Sequence, residues 1–186
     1  FHGVCGPGGC MAVMLLALGE LIAEEGVGMR VLVLSGPPAA GKSTLGRRLA
    51  GTRARCAFID VDDVRQLVVA GAVAPWKGAE GRRQRRLSAA NACSLAGNFV
   101  DAGMDVVVAD ALNEETLAVY RASLDLLVVR LRVAYGQARE RVVGRPVHLT
   151  RDEFAMLHRE QEAVAGADLW LDTTDLTADE TVGRTA

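Results

Sequence analysis

Ser35-Gly36-Pro37-Pro38-Ala39-Ala40-Gly41-Lys42-Ser43-Thr44 is the stretch whose reading decides the fold. It has the form G-x-x-x-x-G-K-[ST], placed after the apolar run Val31–Leu34 and before a helical pattern, which is the context this pattern requires. With 20 Gly, 2 Lys and 14 Ser plus Thr in 186 residues, composition alone would produce only about 0.002 such matches. The spacing has a physical reason. A loop from Gly36 to Gly41 curls its N–H groups around a phosphate only where side chains leave room, and a helix beginning near Lys42 adds its positive N-terminal end. Lys42 then supplies a point charge to the β and γ oxygens, and the Ser43 hydroxyl is offered directly to Mg²⁺. Gly36, Pro37, Pro38, Ala39, Ala40, Gly41, Lys42, Ser43 and Thr44 are therefore the expected nucleotide contacts, with ATP and Mg²⁺ as the implied ligands.

Outward from this loop, short apolar runs alternate with amphipathic stretches. The runs Val31–Leu34, Cys56–Ile59, Val106–Ala109, Leu126–Leu131 and Leu169–Leu171 are rich in Val, Leu or Ile and short enough for strands buried on both faces. Helical patterns fall at Lys42–Ala50, Asp63–Ala70, Arg82–Ala102, Glu114–Ser123, Gln137–Val143 and Arg151–Ala165. Asn113 precedes two acids as an N-cap, and Thr150 to Glu153 and Thr177 to Glu180 have capping-box form. Strands separated by helices make βαβ units, which force parallel pairing and right-handed crossovers. The expectation is an α/β protein with a five-stranded parallel sheet.

Residues 29–186 carry that pattern and form one expected domain. Residues 1–28 differ: a Gly-rich start and the apolar run Met11–Leu18 predict an N-terminal extension with one helix over 11–25, outside the catalytic core. No basic region precedes the run, and Gly19 and Glu20 interrupt it well short of the roughly 20 residues a membrane span needs. Neither a secretory leader nor a membrane anchor is expected.

Composition excludes other classes. The chain is 50% hydrophobic and 24% charged, the balance of a globular protein, and its net charge of −2 favours neither nucleic acid nor an anionic membrane as partner. Four cysteines, at 5, 10, 56 and 93, form no CxxC pairs, which points away from a zinc framework and toward the reducing cytoplasm. Only Lys42 and Lys77 are lysines among 21 basic residues, a bias that makes any single arginine weak evidence and the lysine of the loop stronger.

Ligands of doubly wound sheets collect at the carboxyl ends of the strands, and two acidic clusters fall there. Asp60-Val61-Asp62-Asp63 ends the second strand and Asp110 the third. In phosphoryl transfer to an alcohol, one carboxylate orients the acceptor hydroxyl and takes its proton while another serves the metal. Asp62 is the candidate base and Asp110 the candidate for the outer shell of Mg²⁺, with Asp60 an alternative for either role. Asp63 reads instead as the cap of the following helix. Arg65, one turn beyond Asp62, is an acceptor-side candidate beside Asp60, Asp62 and Asp110. Arg82, Arg85 and Arg86 share one helix face, which reads as a solvated helix end or as a groove for an anionic acceptor. Arg130 and Arg132 point to one side of the fourth strand without an assigned role.

Together, Gly36–Thr44, Phe58-Ile-Asp-Val-Asp-Asp-Val-Arg65, Asp105–Asp110 and Leu171-Asp172-Thr-Thr resemble the P-loop small-molecule kinases: the adenylylsulfate, gluconate and shikimate kinases and the chloramphenicol phosphotransferase-like enzymes. The resemblance spans Arg30 to about Thr181. Asp60–Arg65 is similar to the D-G-D-N-V-R segment of adenylylsulfate kinases, departing at Val61 and Asp63. The group implies a three-layer α/β/α fold of nucleoside-monophosphate-kinase type, sheet order 2-3-1-4-5, and a short lid. It also implies a helix Arg beside adenine, which falls on Arg141, and a catalytic lid Arg followed by Pro, which falls on Arg145. The implied activity is transfer of the γ-phosphate of ATP to a hydroxyl of a small molecule, in a monomer or homodimer. Alternatives using the same loop are a polynucleotide 5′-kinase, a toxin-type nucleotide-sugar kinase and a non-catalytic nucleotide-binding protein.

Overall fold

The computed structural model describes residues 30–143 and 149–174. The N-terminal extension, Arg145 with the centre of the lid, and the capping box at Thr177 lie outside the described residues.

Five parallel strands, β1 (Val31–Ser35), β2 (Cys56–Asp60), β3 (Asp105–Ala109), β4 (Leu127–Arg132) and β5 (Leu169–Asp172), form one sheet in the order β2-β3-β1-β4-β5. This is the order expected. β1 lies at the centre, and its residues are buried because every side chain of a doubly covered strand meets apolar neighbours. Alternation divides the core in two. Val31, Val33, Val106, Val108 and Val128 face one way, and Leu32, Leu34, Val107, Val129 and Leu131 face the other.

The first face is covered by helices α3 (Gly78–Asp101) and α4 (Glu114–Ser123), through Ala89, Ala92, Ala96 and Tyr120. The second is covered by α1 (Lys42–Gly51) and α5 (Tyr135–Arg141) through Leu45, Leu49 and Ala138, while α6 (Arg151–Ala163) gives Phe154 to this core and carries Glu160 and Gln161 to the first face, where they meet Arg85, Ser35 and Arg130. Three layers result. Alanines on the inner side of α3 let that long helix approach the valines of the sheet closely, which explains why so few aromatics suffice.

The caps behave as the sequence indicates at two helices. Asn113 Oδ1 accepts from Thr116 N (2.9 Å), and Thr150 and Glu153 close a reciprocal box (3.2 and 2.9 Å). The helix after β2 departs from expectation. It is α2 (Val61–Gln66), and Asp60, not Asp63, caps it by accepting from Asp62 N (3.2 Å). It stops four residues before the predicted Ala70 because Leu67 and Val69 are 73% and 94% exposed and have no core to hold a further turn. At α3 the helix instead starts a turn early, at Gly78 rather than Arg82. Gly81 is needed there because a Cβ would collide with the Ala74 carbonyl. Helix α5 lies two residues nearer the N-terminus than predicted, and α6 ends two residues sooner.

Candidate functional site

The loop between β1 and α1 is shaped by backbone conformations that few residues adopt. Gly36 has φ 146°, and a Cβ on it would lie 2.5 Å from the Leu131 carbonyl oxygen, so glycine is required on both counts. Gly41 (φ 91°) begins α1, and Ala39 takes a left-handed φ of 61° at the top of the loop. No side chain caps α1. Its first N–H groups are left for an anion.

Lys42 folds back over this loop, donating to the carbonyls of Gly36 (2.8 Å) and Pro37 (3.0 Å). Burial pushes its ammonium below the ordinary lysine range, while the carboxylates of Asp62, Asp110 and Asp60 pull the other way. Those three acids therefore share one field with the loop lysine, although they come from the ends of two other strands.

Their settings differ sharply. The Asp62 side chain is 75% exposed and pairs with Arg65 on the next turn. Asp110 is buried, accepting from Arg65 Nη2 (2.8 Å) and from the Tyr120 hydroxyl (3.3 Å). Burial raises the Asp110 carboxyl above the usual aspartate range, against the opposing charges of Arg65 and Arg85. Burial likewise raises Tyr120, with the Asp110 charge adding to it. Arg65 thus bridges the exposed and the buried carboxylate. Asp60 is committed to its helix cap.

Arg141 ties the loop to the chain after β5. It donates to Ala39 O (3.2 Å), to Thr174 O (3.1 Å) and to the Thr173 carbonyl. Thr173, whose hydroxyl donates to Ala40 O (3.1 Å) and Arg132 O (2.9 Å), is a loop-supporting residue that sequence reasoning missed. Gln161 is another. It accepts from Ser35 Oγ (3.4 Å) and donates to Leu112 O (2.7 Å), joining the foot of the phosphate loop to the chain after Asp110. Tyr120 was legible only as an apolar position of α4. None of these three carries a local motif, because each acts through a partner more than nine residues away.

The arginine face of α3 is not a groove. Arg85 is buried, donating to Glu160 (2.7 Å) and to Ala111 O (2.6 Å), while Arg86 pairs with Glu115 (3.3 Å) and Arg83 with Glu80 (2.9 Å). Arg85 is a clamp between α3, α6 and the segment after β3. Among the described residues no three His, Cys, Asp or Glu side chains gather into a metal cage, and no helix is long and apolar enough to cross a membrane. A hydroxyl at Ser43 with carboxylates sharing the Lys42 field fits a Mg²⁺ that arrives on a nucleotide, and does not fit a resident metal centre.

A family model described as an AAA domain matches residues 32–164. The chain belongs to that AAA-domain family. Solved structures share the AAA-domain fold seen here. A sugar kinase from Janibacter sp. HTCC2649 superposes with TM-score 0.61 at 15% identity, over 77% of this chain and 84% of that one. Shikimate kinase from Bacteroides thetaiotaomicron gives 0.59 at 19%, over 82% and 92%. A gluconokinase from Sinorhizobium meliloti 1021 gives 0.57 at 18%, over 81% and 88%. No curated protein matches the sequence. Within its family, the architecture is that of the P-loop small-molecule kinases.

Proposed function

We propose that the protein transfers the γ-phosphate of ATP to a hydroxyl group of a small molecule. One observation carries this reading: an uncapped helix and its left-handed loop face three strand-end carboxylates that act on the loop lysine.

The loop amides and Lys42 hold the phosphates, and Arg141, already seated on the loop and on the chain after β5, lies on the base side. Asp62 takes the proton of the acceptor hydroxyl, since it is the most exposed of the three carboxylates, with Asp60 half-buried and bonded to its helix cap and Asp110 enclosed. Arg65 holds Asp62 in place by its guanidinium. Asp60 and Asp110 flank the acceptor, and Arg145 closes over the transferred phosphoryl group. Mg²⁺, held by Ser43 with Asp110 in the outer shell, would neutralise the charge of the phosphate oxygens. The exposed Leu67 and Val69, next to Asp62, form an apolar wall for the acceptor.

The test is ATP consumption by the purified protein across sugars, sugar acids, nucleosides, an adenylylsulfate-type ester and aminoglycoside or phenicol antibiotics. One class of acceptor should raise turnover in a manner that requires both Lys42 and Asp62. Intact nucleotide binding with no turnover on any acceptor would replace the enzyme by a nucleotide-binding protein.

A further inference from the structure

On the sheet face opposite α1, beneath the phosphate loop, lies a cavity of about 350 Å³ bounded by Pro37, Arg130, Arg132, Gln161, Glu162 and Trp170. Alternation along β4 places Arg130 and Arg132 on the side of Val128, away from the Leu131 side on which α1 packs. The cavity shares Pro37 with the phosphate loop and Thr174 with the chain that Arg141 ties to that loop, while its two arginines project from the face of β4 away from α1.

Two arginines face it. Arg130 is 1% exposed, donates once, from Nη1 to Gln161 O (2.5 Å), and leaves its buried Nε without a partner. The Arg132 guanidinium carbon sits over the Trp170 ring, 3.9 Å from its centroid, with that of Arg130 at 5.5 Å from the same ring. Stacking uses the face of a guanidinium and leaves the N–H donors at its edge unspent, held in a fixed fork. Neither arginine has a carboxylate within 4.0 Å among the described residues. Arg65, whose Nε is likewise without a partner, Arg85 and Arg121 are each paired with a carboxylate. The acids nearby are turned to other groups: Glu162 faces His158 Nδ1 (3.5 Å), and Asp172 accepts from Thr174 N (2.8 Å). A buried cation with an idle donor, beside a second cation whose charge opposes it, is costly unless an anion joins them.

We infer that this cavity is a binding site for a small metabolite bearing a carboxylate or phosphoryl group, gripped by the Arg132 fork and Arg130 Nε, with its body against Trp170. The volume is at the low end of that of small-molecule sites, and the mix of aromatic wall and few convergent donors is their usual lining.

The two indole N–H groups allow a direct test by nitrogen-15 NMR, assigned with Trp170→Phe. Trp76 donates to Glu153 (3.0 Å) outside the cavity and serves as internal reference. Inorganic phosphate and succinate are titrated separately at constant ionic strength, with chloride as control, in a Lys42→Ala background that weakens phosphate binding at the nucleotide loop, where the backbone N–H groups remain. Trp170 should shift saturably with at least one of the two anions while Trp76 stays in place. Arg132→Gln should weaken that binding about tenfold or more, with Arg132→Lys intermediate because it keeps charge and loses the fork. Saturation by phosphate alone assigns a phosphoryl ligand, and by succinate alone a carboxylate. A Trp170 shift equal to that in chloride, or one unchanged in folded Arg132→Gln, overturns the inference. Should Arg132→Gln fail to fold, an Arg132→Lys titration identical to that of the Arg132 protein overturns it equally. Because binding is read without ATP, failure here leaves the kinase reading untouched, and failure of that reading leaves the cavity to be judged by this titration.

Discussion

The two sides of the candidate site are built by different means. At the end of β1 the loop is a backbone device, with Gly36 and Gly41 in conformations closed to most residues and Lys42 bonded to two carbonyls of its own turn. At the ends of β2 and β3 the device is made of side chains, Arg65 spanning from exposed Asp62 to buried Asp110 with Tyr120 behind. The first is local in sequence and rigid by conformation. The second joins residues 45 positions apart and is rigid only while its charges stay paired.

If the loop acts by electrostatics on phosphate, Lys42→Ala should lower phosphoryl transfer by about 10³-fold with an unchanged melting temperature. A folded variant with full turnover would remove the loop from the chemistry. On the acceptor side, Asp62→Asn should reduce kcat about 10²-fold while the KM for ATP stays level, as steady-state kinetics would read. Unchanged turnover would transfer the proton-accepting role to Asp60 or Asp110. Gly36→Ala tests whether the loop is conformational. Left-handed backbone and a close carbonyl should together cost about 2 kcal/mol in denaturant unfolding, and a neutral result would show that the loop relaxes freely.

The smallest effect concerns the ion network. Tyr120→Phe should cost about 1 kcal/mol by leaving Asp110 one donor short. Its companion is a pH measurement. Burial raises Asp110, so the folded protein holds this proton more tightly than the unfolded chain. The stability it contributes is complete below the unfolded value of about 3.9 and is lost as pH rises through the higher folded value. Arg65→Met should raise that folded value further and extend the loss to higher pH, whereas an unaltered profile would mean that Arg65 does not neutralise Asp110.

Much of this was legible beforehand wherever a signal is local. The strand runs, the helix Glu114–Ser123 and its Asn113 cap, and the phosphate loop depend on periodicity and on contacts within four residues. At Asp60–Ala70 the reading was less successful. Three acids in four residues offered several caps, and only the extended backbone of Asp60 selects among them. Arg85 read as part of a solvated helix end because its partner, Glu160, lies 75 residues away.

By itself the sequence determined the nucleotide side, since steric rules for glycine and the position of a lysine after it operate within one turn of chain. Tertiary structure alone decided which charges are paired. Asp62, in the first turn of the helix after β2, and Asp110, at the end of β3, are the same residue type within three residues of adjacent strands, yet one stays open and the other is enclosed by Tyr120 and Arg65. Arg85 and Arg130 are both buried arginines, yet only Arg85 meets a carboxylate. Coulomb energy and desolvation depend on distance and burial in space, and neither quantity is written in the order of residues along the chain.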